Sequence, residues 1–238
     1  MWSVWPETVD LYLGQGLAML QRGRTPATVV QPESAVQLPQ LLAQVRGQLP
    51  KRCQLRITLS GALCPAIAIQ MPEDVHRYAE VMAIAEATAA QSMGIAADQL
   101  LSEIPRQGVP VVAAIPKALL GTLQAWATQE RMKIRSMRPL WSVATQCAAV
   151  QSPSVRALVL QEPDATTLLA NTADGAWQAS SLPRTVVSTS ADSARRRWQV
   201  GLGLADKDVY ALSFTATENL GQKPSGSPDC WPAHWVAP

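Results

Sequence analysis

The chain has 238 residues, a formal net charge of +2, 16% charged residues and 47% hydrophobic residues. That length fits one large domain or two lobes, and folding would bury about 70% of the unfolded surface, so no metal or disulfide staple is required. The small charge and scattered Lys and Arg argue against a nucleic-acid partner, and the apolar content excludes disorder throughout. Cys53, Cys64, Cys147 and Cys230 form no CxxC pair, and His76 and His234 lie far apart, so neither set has metal-ligand spacing. They read as reduced, mostly buried thiols and isolated histidines in a cytosolic protein.

The N-terminal MWSVWPETVD has no basic segment followed by an apolar run, and the longest apolar stretch is cut by Pro116 and Lys117. No signal peptide or bilayer span is expected. Residues 8–23 (TVDLYLGQGLAMLQRG) read as a hairpin, because Gly14 and Gly16 can supply the positive φ of a tight turn. After a polar link containing Thr25, Pro26 and Pro32, Leu38, Leu41, Leu42, Val45 and Leu49 fall at helical spacing, with Pro39 in the first turn and Pro50 ending the element. Residues 54–60 alternate strictly and predict a strand, followed by a second in AIAIQM. Residues 73–93 predict an alanine-rich helix carrying His76 and closed by Gly94. Residues 109–115 (VPVVAAI) read as a strand buried on both faces. A helix opened by Pro116 and a strand over 133–137 follow, a unit with room for a parallel crossover. A further short helix completes the first half.

The second half opens with strands over 157–160 and 166–170 around QEPDA, and a third follows Asp174–Gly175. The run of three arginines at 195–197 reads as a solvated helix face, and VYALSF as a final strand. The Pro-rich residues 219–238 carry no expected fold. Each half thus begins with a hairpin whose loop is placed to meet a phosphate.

This order of elements, carried by VDLYLGQGLAMLQRG, VPVVAAIPKALLGTLQAWATQERMKIRSMRPLW and ALVLQEPDATTLLANTADGAW, resembles the actin-like ATPase fold of actin, heat-shock chaperones and sugar kinases. Within it the chain looks most like PilM, GspL and the cytoplasmic part of MshI, proteins of type IV pilus and type II secretion assembly. The resemblance implies an α/β, two-lobed actin-like (RNase H-like repeat) fold in degenerate form. The expected lobes are 1–150 and a shortened 151–218, with 219–238 as a tail.

Working members of that fold hold ATP and magnesium with two Asp-x-Gly-(x)-Ser/Thr loops, whose backbone N–H groups and hydroxyl cradle phosphates. Here Tyr12 stands in place of the first Asp, Gly14 survives, and Gln15 replaces the hydroxyl; Glu162 or Pro163 takes the second glycine position. A carboxylate there repels phosphate, and proline lacks the donor N–H. The resemblance therefore implies a non-catalytic cytoplasmic scaffold, recruited to the inner membrane, that takes no cofactor and binds protein partners of a pilus or secretion platform. GspL and MshI carry a transmembrane helix after this domain, so the chain is expected to be a free-standing PilM-type protein or a piece cut before such a helix.

One alternative is an ATP-binding member with Asp10, Gly14, Asp164, Thr166 and Thr167 as the phosphate and magnesium contacts. Another is an unrelated α/β binding domain, which would show a single sheet without repeated lobes. No GxxxxGK[ST], GxGxxG after a strand, or GxSxG is present, and GLGLAD at 201–206 reads as a turn. The pairs Asp98/Glu103 and Asp206/Asp208 read as surface groups. Eight tryptophans against one phenylalanine is an unusual inventory. Trp126, Trp141, Trp177 and Trp198 read as core, whereas Trp2, Trp5, Trp231 and Trp235 are candidates for partner binding.

Overall fold

A computed structural model describes residues 7–23, 27–32, 36–72, 74–75, 77–105, 109–151, 156–172, 175–183 and 191–214, excepting the side chains of 147–151 and 191–195. Trp2, Trp5, His76, Trp231, His234, Trp235 and the tail 219–238 lie outside the described residues. In chain order the elements are β1 (Glu7–Gly14), β2 (Leu17–Arg22), β3 (Thr28–Val30), α1 (Leu38–Gln48), β4 (Cys53–Leu59), β5 (Ala66–Ala68), α2 (Tyr78–Met93), β6 (Leu100–Glu103), β7 (Val111–Pro116), α3 (Lys117–Gln129), β8 (Lys133–Pro139), α4 (Leu140–Gln151), β9 (Ala157–Gln161), β10 (Ala165–Asn171), β11 (Trp177–Pro183), α5 (Ala191–Gly201) and β12 (Val209–Ser213). They gather into two compact units, each discontinuous in sequence. The first holds the described residues of 1–59 and 119–138, the second those of 60–118 and 139–215.

The first unit is built on a five-stranded sheet ordered β3-β2-β1-β4-β8. β1 runs antiparallel to β2 and parallel to β4, with Leu11 opposite both Leu20 and Ile57. Being central, β1 is buried on both faces, so Val9, Leu11 and Leu13 share their burial with Asp10 and Tyr12 between them. Gly14 pairs with Leu17, leaving a two-residue turn in which Gly16 has φ +80°. α1 buries Leu41, Leu42 and Val45, as its spacing predicts, with Pro39 in the first turn. At its other end Arg46 donates from Nη1 to the carbonyls of Leu49 and Pro50 and from Nε to Glu130 at 2.7 Å, which satisfies chain-end acceptors and ties α1 to the end of α3.

The second unit contains a four-stranded sheet, β11-β10-β9-β12, and a three-stranded antiparallel sheet, β5-β7-β6. α2 packs on the smaller sheet through Ala85 and Ala89 against Ile67, Ile69, Leu100, Val112 and Ala114. It starts at Tyr78 rather than at residue 73, and Gly94 closes it at φ +65°, as expected. In the larger sheet β9 is antiparallel to β10 and parallel to β12. Trp198 packs beside Ala157, Ala170 and Leu204, and Trp141 is buried with its Nε1–H donating to the Cys64 carbonyl at 3.0 Å.

One sequence expectation is overturned. β7 and β8 do not form a parallel pair: β7 is the centre of the small antiparallel sheet, and β8 lies beside β4. An apolar run such as VVAAI marks a strand covered on both faces, but it carries no information about the direction of its neighbours.

The two larger sheets repeat one plan. A strand, its antiparallel hairpin partner, a third strand, a helix and a strand parallel to the first occur as β1-β2-β3-α1-β4 and again as β9-β10-β11-α5-β12.

Candidate functional site

The two hairpin turns are where this plan would present phosphate contacts. In the first unit, Asp10 lies opposite Arg56 on neighbouring parallel strands. Its carboxylate, 1% exposed, accepts a hydrogen bond from Arg56 Nη2 at 3.0 Å, and Arg56 Nε stands 2.8 Å from Oδ1. Burial pushes the Asp10 carboxyl up from its ordinary range, and the guanidinium pulls it partly back. Gly14 is the last residue of β1, and Tyr12 is fully buried. The turn proper is Gln15–Gly16, two residues long.

In the second unit the β9–β10 turn is equally tight. The Glu162 N–H donates to the Ala165 carbonyl at 2.8 Å, leaving Pro163 and Asp164 at the tip. Glu162 is 0% exposed. Its carboxylate accepts the Gly61 N–H on both oxygens at 3.1 Å and the Thr167 hydroxyl at 3.3 Å. Thr167 faces Ser181 across the β10–β11 ladder, with the two hydroxyl oxygens 3.0 Å apart. Because Thr167 gives its single proton to Glu162, Ser181 must donate to Thr167, and Ser181 in turn accepts the Ala66 N–H at 3.0 Å. The chain of donors thus runs one way, from Ala66 through Ser181 and Thr167 to the carboxylate, an arrangement in which each bond polarises the next. Asp164 accepts the Ser60 hydroxyl at 2.8 Å. Two carboxylates from one turn therefore grip two consecutive residues, Ser60 and Gly61.

Of the residues expected under ATP binding, Asp10 and Gly14 belong to the first unit and Asp164, Thr166 and Thr167 to the second. The last three share one hairpin, but their groups face different neighbours: Ser60 for Asp164, Glu162 and Ser181 for Thr167, and no hydrogen-bond partner among the described residues for the buried Thr166 Oγ1. Sequence reasoning missed Ser60, Gly61 and Ser181. The strand read over residues 54–60 put Ser60 inside it and Gly61 just past its end, and neither was marked as a receiver of a carboxylate. Beside the cradle, burial pushes the Cys64 thiol up to about 12, with the Glu162 and Glu103 carboxylates adding to the effect. Gly61 and Ser181 also border a cleft of about 730 Å³ between β5, the end of α2 and β11.

Neither a family model nor a curated protein matches the sequence. Among solved structures, the chain is similar to a protein of unknown function with an actin-like ATPase fold from Bacteroides thetaiotaomicron, at TM-score 0.57 and 9% identity over 90% of this chain and 83% of that one. The fold is actin-like. The chain is also similar to the cytoplasmic domain of EpsL, an inner-membrane component of the Vibrio cholerae type II secretion system, at TM-score 0.51 and 9% identity over 90% of this chain and 86% of that one. A PilM–PilN type IV pilus biogenesis complex matches at 16% identity over 84% of this chain and 66% of that one, and its TM-score of 0.48 adds nothing to the assignment.

An actin-like fold implies ATP and magnesium, and the residues present do not fit them. The Thr167 hydroxyl of the second hairpin is engaged by Glu162, Pro163 has no N–H, and Asp10 is paired with Arg56 inside a sheet. Among the described residues no group of three His, Cys, Asp or Glu is placed to hold a metal, and no helix is long and apolar enough to cross a membrane.

Proposed function

We propose that the chain is a non-catalytic scaffold of a bacterial pilus or secretion assembly, held on the cytoplasmic side of the inner membrane by binding cytoplasmic segments of membrane partners. The observation that carries the non-catalytic part is the buried Glu162 carboxylate, which stands at the second hairpin turn and takes up the Thr167 hydroxyl there. The assembly part is supported by the fold shared with the EpsL cytoplasmic domain. The second unit also offers a place for an extended peptide. β5 and β11 are the terminal strands of their sheets and border the cleft together with α2, so an extended segment laid in the cleft would meet both strands.

Calorimetric titration of ATP with magnesium into the purified protein tests the first part. No heat up to millimolar nucleotide is expected, and micromolar binding would make the chain an ATP-driven component instead. Pull-down with the cytoplasmic segments of inner-membrane pilus and secretion proteins tests the second, with loss of capture expected when Ser180→Pro disrupts the β11 edge.

A further inference from the structure

We propose that Glu162 is the resident occupant of an oxyanion cradle in the second unit, and that removing its side chain opens the cradle to free phosphate-class anions. The donors are the first argument. The Gly61 N–H and the Thr167 hydroxyl converge on one carboxylate, with Ser181 and Ala66 aligned behind Thr167, and the Glu162 side chain is sealed from solvent. A backbone N–H and a hydroxyl directed at one buried anion are the elements of a phosphate site, and carboxylate and phosphate oxygens accept them alike.

The second argument is space. A Cβ on Gly61 would collide with Thr167 Oγ1 and lie 3.0 Å from Glu162 Oε1 and 3.2 Å from Ser181 Oγ. The backbone therefore approaches the anion at a closeness only glycine permits, as backbones do around phosphate. The third is attachment. Asp164, two residues along the same turn, holds Ser60, so the turn and the 60–61 segment are clasped and the carboxylate is delivered to a fixed point. An anion tethered in place outcompetes one that must be recruited from solution and lose its freedom there.

This inference rests on the same Glu162 contacts as the non-catalytic reading, which the ATP titration tests separately, and it stands apart from partner binding, which the pull-down addresses without it. The experiment follows the Gly61 amide of the full ¹⁵N-labelled chain by NMR while inorganic phosphate is added, with sodium chloride at matched ionic strength as the reference. In Glu162→Ala the amide is expected to shift downfield saturably with phosphate and the melting temperature to rise with it; the native chain should show neither. The double variant Glu162→Ala/Gly61→Ala should lose the thermal response. A native chain that responds as the variant does, or a folded Glu162→Ala that ignores phosphate, overturns the proposal. If Glu162→Ala does not fold, Glu162→Gln decides: a neutral acceptor should return the Gly61 amide upfield, and an unchanged resonance overturns the charge-holding role.

Discussion

Asp10 and Arg56 face each other on neighbouring parallel strands, and their energetics are lopsided. The carboxylate is buried, whereas Arg56 keeps 18% of its side chain exposed. Burial raises the Asp10 pKa more than Arg56 lowers it. A carboxyl with a raised native pKa contributes stability that is full below its unfolded value, near about 3.9, and is lost as pH climbs through the native value. Arg56→Gln should therefore cost about 3–5 kcal/mol at neutral pH, because it strands a buried charge, and the deficit should shrink as acid protonates Asp10. Asp10→Asn should cost less and remove that pH dependence. Urea melts of the three proteins across the acid range measure both effects, and equal losses at neutral pH would refute the asymmetry. Gly61 is the second telling position. Gly61→Ala has to displace Thr167 or the backbone and should cost about 1–3 kcal/mol in the same melts, whereas Gly121→Ala, on α3 with open space around the added methyl, should stabilise slightly.

α2, α3 and α5 all end with the same reach-back bond. The N–H of Ile95, Met132 and Leu204 reaches back to the carbonyl of Ala90, Ala127 and Gln199 respectively, with a residue of positive φ just before each. Two of those residues are Gly94 and Gly203; the third is Arg131 at φ +56°. A left-handed arginine is strained where glycine is not, so Arg131→Gly should raise stability by roughly 0.5–1 kcal/mol, and Gly94→Ala should lower it by about 1 kcal/mol. Thermal melts of the two variants should move in opposite directions. Helix ends of this kind are legible in sequence when glycine marks them, as Gly94 did for α2, and silent when arginine does. The same logic explains which strands could be read. β4 alternates over seven residues and β1–β2 carries GQG, so both stood out. β3 has three residues and β6 four, too few to display a period of two, and α5 was visible only as a solvated arginine face. At the site, the sequence put the Glu162 carboxylate at the turn where the fold would place phosphate. It could not show what the carboxylate binds instead, because Gly61 is 101 positions away and nothing local marks it as the receiver.

The repeated strand plan suggests two halves in sequence, yet the compact units cut across it. The segment 60–118, inserted between β4 and the body of α3, belongs with the second sheet. Its clasp is made of hydrogen bonds: Glu162 on Gly61, Asp164 on Ser60, and Ser181 on the Ala66 N–H. A fragment of residues 151–238 keeps both carboxylates and loses every one of those donors, along with the Trp141 indole and the Cys64 carbonyl it binds. The fragment also loses the packing that residues 60–118 and 139–150 supply to the second unit, against a total stability of about 5–15 kcal/mol for a whole domain. The fragment alone should therefore show no cooperative melt and no near-ultraviolet signal from Trp177 and Trp198, and mixing it with residues 1–150 should restore both. If 151–238 melts cooperatively by itself, its sheet is self-sufficient, and the clasp to the 60–61 segment does not hold the second unit together.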